Sequence, residues 1–223
     1  MKFENTEVWG FEHAIRGMRN PKESWNKSDS EWETHIDYNK DEVYTKFAIG
    51  KNDLRLAQSL IKAGSEHRKF LRQIFVVVDI TAPLYWWKEF DTYKVGTVSN
   101  STSTMHKLAS TPITMNFFEM GDFADSDEES NDYNLYTKSM WSELIDHLEA
   151  LRKEFNETKD KRYWKELIRL LPESWLQTRT VTMNYENILN MINQRTNHKL
   201  TEWSVSFIEW AQSLPYAKEF FNS

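Results

Sequence analysis

Four clusters of side chains in this sequence have types and spacings suited to chemistry. His67, Arg68 and Lys69, with Arg72 close behind, place cations just before an apolar segment. Such donors clamp phosphates through charge-assisted hydrogen bonds, and the same composition also suits a solvated loop. Trp86, Trp87, Phe90 and Tyr93 come next, rings of the kind that stack on a base or a flavin. Neighbours on a helix point in different directions, so core packing is expected to claim at least two of them. Ser99, Asn100, Ser101, Thr102, Ser103 and Thr104 offer donors and acceptors to a ribose, a phosphate or a base edge; a plain polar loop has the same composition. Arg179, Asn184, Asn190, Asn193 and Arg195 lie in a partly apolar stretch, and Asn184, Asn187 or Glu186, Asn190 and Asn193 or Gln194 recur at a spacing that sets several on one helix face. A polar face usually meets solvent; in an otherwise buried helix it marks a ligand groove.

Other chemistries lack their motifs. There is no phosphate-binding P-loop, no dinucleotide glycine fingerprint, no nucleophile elbow and no zinc motif. The histidines, at 13, 35, 67, 106, 147 and 198, have no metal-ligand pairing. The absence of Cys removes disulfides, thiolate metal sites and cysteine nucleophiles. Asp125, Asp127, Glu128, Glu129 and Asp132 lack the alternation of a calcium loop and read as a solvated acidic loop. A net charge of -6 argues against a nucleic-acid partner, because such binding displaces phosphate counterions with a basic surface. No apolar run approaches a membrane span, and the first residues carry acids in place of a signal-peptide core. The expectation is a cytoplasmic protein with no membrane partner.

The elements that must position these clusters follow from periodicity. With 223 residues and no boundary signal, one domain over 1–223 is expected. Residues 8–18 read as a strand turning into a short helix broken at Pro21, and 26–33 as a loop, with Trp9, Trp25 and Trp32 packing locally on the core. Leu54, Ala57, Leu60 and Ile61 predict a helix over 52–63, with Asn52 as its N-cap and Gly64 in the left-handed position after it. Ile74 to Val78 is continuously apolar and predicts a strand over 70–82 buried on both faces. Pro83 suits the first turn of a helix over 84–93, and 98–104 reads as a loop. Met140, Trp141, Leu144, Ile145, Leu148, Leu151 and Phe155 form one stripe of a helix over 135–155. Further helices are expected over 161–171, 182–195 and 201–213, the last presenting Trp203, Val205, Phe207, Ile208 and Trp210.

Two blocks resemble the flavin-dependent thymidylate synthase (ThyX) family. The first runs from Leu60-Ile61-Lys62-Ala63-Gly64 through Phe70, the strand at 74–80, Ala82-Pro83 and 95–108. The second contains Leu171-Pro172, Thr178-Arg179, Thr182, Asn184, Leu189-Asn190, Asn193, Arg195, His198 and Trp203. The family signature RHRxxSxNxxSxR is altered here. Thr92-Tyr93-Lys94 replaces RHR, Thr97 the first Ser, Asn100 or Ser99 the Asn, Ser103 the second Ser and Met105 the closing Arg. Lys94 keeps one charge without the bidentate fork of Arg. Asn184, Asn190 and Arg195 match cofactor or substrate positions, whereas Glu186 stands where the family has an Arg, and Arg169 is one residue from another expected Arg.

The resemblance implies an α/β (α+β) subunit with helices packed on a small mixed or antiparallel sheet, assembled as a homotetramer with sites where subunits meet. In the family dUMP is methylated with a folate methylene group and hydride from NADPH through FAD, with no cysteine nucleophile. With His67 and Arg68 of the cationic cluster, Lys94, Asn184 and Asn190 are candidates for cofactor binding, with FAD as the candidate cofactor. Tyr93, Ser99, Asn100, Ser103 and Arg195 are candidates for nucleotide binding; no catalytic residue and no metal ligand is assigned. Three readings result. One is a nucleotide-binding protein, non-catalytic or of altered chemistry, that senses or sequesters a nucleotide. Another is a divergent FAD-dependent enzyme of the thymidylate synthase type acting on dUMP or a related pyrimidine nucleotide. The last is a structural module whose pocket has decayed.

Overall fold

A computed structural model describes residues 1–37, 39, 41–120 and 132–222. The acidic run at 125–129 lies outside them, and of Asp132 only the backbone is described. The chain opens with strand β1 (Lys2–Trp9) and helix α1 (Phe11–Met18). The hairpin β2 (Glu31–Asp37) and β3 (Glu42–Ala48) and helix α2 (Lys51–Lys62) follow. Then come β4 (Phe75–Pro83), α3 (Leu84–Phe90), β5 (Val98–Ser101) and the short α4 (Thr104–Lys107). The remainder is α5 (Asp132–Thr158), α6 (Lys161–Leu170), β6 (Leu176–Asn184), α7 (Tyr185–Arg195), a π-helical segment Glu202–Phe207, α8 (Ile208–Gln212) and α9 (Ala217–Phe221). Four strands form a sheet in the order β1-β4-β6-β5, and β2 pairs with β3 antiparallel, Trp32 opposite Phe47 and Ile36 opposite Val43. The architecture is the expected one, helices with a small sheet. Among the described residues no helix is long and apolar enough to cross a membrane.

The chain divides into two compact units. One comprises Met1–Lys2, Asp79–Thr92 and Ser99–Thr180; the other comprises Phe3–Val78, Tyr93–Val98 and Val181–Ser223. In the first, Leu108, Ile113, Phe118, Ile145, Leu148, Leu167 and Trp175 form a core. Trp141, Leu144 and Leu151 pack against it as the α5 stripe predicts, while Met140 points away and is exposed. Glu149 ties the preceding loop to α5. It accepts from the Ile113 amide (2.9 Å) and from Arg152 (2.6 and 2.7 Å), and Arg152 holds its carboxyl below the ordinary range.

The second unit is organised by a buried ion pair that the hydrophobic pattern does not reveal. α1 buries Phe11, Ala14, Ile15 and Met18 at helical spacing, and α2 buries Ala57 and Ile61 together with Asp53. Asp53, wholly buried, accepts from Arg19 Nε at 2.5 Å, from the Ser28 and Ser30 hydroxyls at 2.6 Å each and from the Asp29 amide at 3.3 Å. Arg19 extends the network, donating to the Ser24 carbonyl at 3.3 Å and the Lys27 carbonyl at 3.1 Å. The N-terminus of α2 is capped from outside its own segment. Asn52 is not the N-cap: Gly50 is, and the Asp29 carboxylate accepts from the amides of Asn52 (2.9 Å) and Asp53 (3.1 Å). Those amides are donors with no partner inside the helix, at the positive end of its dipole. Gly50 has no Cβ because Asp29 occupies that space. Gly64, at φ 101, follows α2 as expected.

Several boundaries differ from the sequence reading for identifiable reasons. Strand β4 is preceded by a tight 3-10 turn, Lys69–Gln73, and alternates, with Val76, Val78, Ile80 and Ala82 buried. Phe75 is 39% exposed, so the strand is not buried on both faces. The segment 98–101 is a strand rather than a loop, and α3 stops at Phe90. Residues 182–184 end a strand, not begin a helix; Thr178, Thr180 and Thr182 alternate with Arg179, Val181 and Met183, a period of two overlooked beside the stronger helical signal that follows. Trp9, Trp25 and Trp32 are 46%, 49% and 56% exposed, so they do not pack into the core. In 201–213 the π turn buries Trp203 and Phe207 and leaves Val205 exposed. Tyr185 anchors the C-terminal segment: its hydroxyl donates to the Pro215 carbonyl at 2.7 Å, and burial pushes its pKa well above the tyrosine range.

Asp53→Ala leaves the Arg19 guanidinium buried without its anion, which costs about 3–5 kcal/mol in comparable sites; urea denaturation is expected to show a loss of that order. Asp29 is held below its ordinary value chiefly by the Asn52 amide. A carboxyl depressed in the folded state stabilises above its unfolded pKa, and that contribution fades as pH falls below the usual aspartate value of 3.8. Stability measured between pH 5 and pH 3 is therefore expected to fall less steeply in Asp29→Asn than in the parent protein.

Candidate functional site

Helix α7 carries the polar face foreseen from the asparagine spacing, and its first residues are spent on its own N-terminus. Asn184 accepts from the Asn187 amide at 3.0 Å, and Asn187 Oδ1 accepts from the Asn184 amide at 3.2 Å, a reciprocal capping box. Asn187 Nδ2 also donates to the Val95 carbonyl at 2.8 Å, docking the turn at 93–97 on this helix end. Gly96, at φ 79, lies in that turn; a Cβ there would come within 3.0 Å of Asn184 Nδ2 and Asn187 Oδ1. Thr97 closes the turn on the Tyr93 carbonyl.

Next along the face, Glu186 is 5% exposed and faces two guanidinium groups. Arg68 Nε donates to it at 3.3 Å, and Arg72 Nε donates to its other oxygen. Arg68 also donates to Asn190 Oδ1 at 3.0 Å. The hydrogen bond to Glu186 raises the Arg72 pKa further. The Glu186 carboxylate thus binds cations of its own chain. One turn further, Tyr93 donates to Gln194 Oε1 at 2.9 Å and accepts from Arg195 Nε at 2.8 Å. The Arg195 guanidinium lies 5.4 Å from the Tyr93 ring centroid and 4.7 Å from that of Trp203, within cation–π range of both.

Of the residues singled out from sequence, the structure joins Tyr93 with Arg195 and Arg68 with Asn190. Asn184 is 8% exposed and serves as a helix cap, and the side chains of His67 and Lys94 are exposed. Ser99, Asn100 and Ser103 belong to the other compact unit. Ser99 and Asn100 are exposed on β5, and Ser103 caps α4 by accepting from the His106 amide at 3.2 Å. In that unit Trp86, Trp87 and Phe90 are core residues, 0–2% exposed. The Trp87 face is covered by Arg179 at 4.2 Å, so Trp87 does not stack on a base in this arrangement. Arg179 in turn donates to Asp91 at 2.6 Å and to Gln177 at 2.9 Å. Gln194 belongs to the polar row read from the sequence, but its bond to Tyr93 and the place of Trp203 beside Arg195 were not foreseen. Trp203 stood in an apolar row, and no spacing rule links it to Arg195 across the intervening turn.

No family model matches this sequence, and no curated protein matches it. Solved structures do. A crystal structure of flavin-dependent thymidylate synthase from Helicobacter pylori, complexed with FAD and dUMP, matches with a TM-score of 0.65 at 16% identity, over 99% of this chain and 97% of that chain. A second structure of that enzyme with FAD and dUMP gives 0.63 at 16% identity, over 96% and 93%. The likeness spans the whole chain and establishes the fold.

Glu186→Gln keeps the shape and removes the charge that holds Arg68 and Arg72. Buried hydrogen bonds to charged groups contribute about 1.5–3 kcal/mol, and the exposure of Arg72 favours the lower end. Chemical denaturation is expected to show a loss of about 1–2 kcal/mol, smaller at high salt.

Proposed function

We propose that this chain is a nucleotide-binding protein on the flavin-dependent thymidylate synthase fold, non-catalytic or of altered chemistry, that senses or sequesters a nucleotide. The observation that carries this reading is the Arg195 guanidinium aligned by Tyr93 and Trp203, in the block of sequence that resembles the family's nucleotide-binding block. A ring pair that fixes a guanidinium in advance reduces the ordering cost of binding an anion or a base edge. The neighbouring fold contains FAD and dUMP in Helicobacter pylori, which supports a nucleotide or flavin as the ligand class. In this reading 1–223 acts as one functional domain, and Ser99, Asn100 and Ser103 stand as nucleotide-binding candidates of their own unit.

The divergent flavoenzyme is the second reading, favoured by the likeness over the full chain to a structure containing FAD. The residues carried over toward a flavin fit it only in part. His67 and Lys94 are exposed and able to meet a diphosphate, whereas Arg68, Asn184 and Asn190 are engaged within the fold. As arranged they do not form a complete cofactor site, and no chemical step is assigned through a flavin. A decayed pocket filled by Trp86, Trp87 and Met105 has less support, since the two Trp are core residues and Met105 is 53% exposed. Assembly with itself as a homotetramer belongs to the proposal; Trp32, Ile36 and Val43, exposed together on the β2–β3 hairpin, are the kind of apolar surface that self-association covers.

Native mass spectrometry of the purified protein is expected to give a tetramer carrying a nucleotide or flavin mass. In a thermal-shift panel, one nucleotide at a hundredfold excess over its Kd is expected to stabilise the protein by about 2.7 kcal/mol, and Arg195→Ala to remove most of that. A panel in which no nucleotide or flavin shifts the melting temperature would sink the reading.

A further inference from the structure

A pocket of about 280 Å³ opens in the second unit between α1, the turn at 25–28 and the base of the β2–β3 hairpin. None of the residues considered for the candidate site lines it. Its walls are aromatic. Trp25 and Trp32 are 49% and 56% exposed, and Phe47 lies 5.5 Å from Trp32 in an edge-to-face arrangement that leaves ring surface uncovered. Trp25 is held in place, because its indole N–H donates to Asn20 Oδ1 at 2.9 Å. On the inner side are Arg19, Ser28 and Ser30, all three committed to Asp53. The pocket is thus formed in advance by the same buried network that fixes the path of residues 19–30.

The charges at its rim favour a cation. Glu12, Arg16 and Glu31 line the pocket and are exposed, and among the described residues none of the three has an ion-pair partner. Arg19 is balanced by Asp53, so two carboxylates stand against one uncompensated guanidinium. The ring faces add the negative side of their quadrupoles. The hydrogen-bonding groups select the kind of cation. Ser28 and Ser30 already donate to Asp53, Ser30 Oγ also accepts from the Gly50 amide at 3.0 Å, and the Trp25 N–H is spent on Asn20. A primary ammonium brings three donors that this inner wall does not satisfy, whereas a quaternary one brings none and turns methyl groups to the rings. We propose that this pocket binds a small quaternary ammonium compound, its head against Trp25 and Trp32, with Glu12 and Glu31 supplying the countercharge. The volume lies just below the usual range of about 300–1,000 Å³ for ligand pockets, which suits a head group with a short tail. The site does not depend on the Tyr93–Arg195 reading.

Ligand-observed NMR titration of the full chain tests it with three probes of one shape. These are choline, ethanolamine with its primary ammonium, and dimethylbutanol, in which carbon replaces the choline nitrogen and the charge is lost. Choline is expected to bind at least about fivefold more tightly than either of the others. Trp25→Leu keeps apolar bulk, removes the ring face and is expected to weaken choline binding by about fivefold or more. Glu12→Gln/Glu31→Gln is expected to weaken it by about threefold or more and to flatten its salt dependence. Trp32 also belongs to the hairpin face proposed above for self-association, so the variants leave it in place. An unchanged native mass spectrum of Trp25→Leu separates loss of the pocket from loss of assembly. If that variant fails to fold or assembles differently, the Glu12/Glu31 variant, altered only at exposed side chains, decides. No choline binding, ethanolamine or dimethylbutanol binding as tightly as choline, or choline binding indifferent to both variants would overturn the proposal.

Discussion

The second unit depends on one interaction, the buried pair of Arg19 and Asp53. Two charges withdrawn from water are costly unless their remaining hydrogen-bonding positions are met. Meeting them requires specific partners: the hydroxyls of Ser28 and Ser30, the Asp29 amide, and the carbonyls of Ser24 and Lys27. The end of α1, the irregular chain that follows, the start of β2 and the first turn of α2 are thereby held to a common point. An apolar pair of similar volume would fill the space without fixing the path of residues 19–30, because dispersion is not directional. The pair accounts for an irregular segment keeping a defined shape, and Asp29, brought in by the same path, then caps α2.

A buried carboxylate with arginine partners recurs at Glu186, with a different consequence. There the anion sits on the polar face of α7 and draws Arg68 and Arg72 onto it. Positive charge that could meet a ligand is turned inward, and the remaining prominent cation on that face, Arg195, is held by rings and a phenol hydroxyl. Positive surface charge is thus neutralised beside α7. The fold is shared with the Helicobacter pylori structures, but the distribution of charge is set by this sequence.

Much of the framework was legible in the order of residues. The apolar spacing of α2, the left-handed Gly64, the stripe of α5 and the apolar run of β4 each reflect a local rule, and each yielded an element near its place. The resemblance in the two blocks pointed to the fold found for the whole chain. Where reading by period failed, two signals competed in one stretch. The two-residue alternation of β6 runs directly into the helical spacing of α7, with Asn184 as the hinge between them. The exposed Trp residues near the N-terminus show the other limit, since an aromatic side chain by itself does not say which surface will cover it.

By itself the sequence determined the helical and strand periods, the lack of cysteine and metal motifs, and the set of polar residues from which a site is drawn. Tertiary structure decided which of those residues are already committed to the fold. Nothing in the sequence says that Arg68 and Arg72 are neutralised by Glu186, more than a hundred positions away from both. Nothing local makes Asp29 the cap of α2 or pairs Arg19 with Asp53. Charge pairing depends on distance in space and on loss of water, neither of which is a property of neighbouring residues along the chain. For that reason the chemistry available here was visible in the sequence, and its availability to a ligand was not.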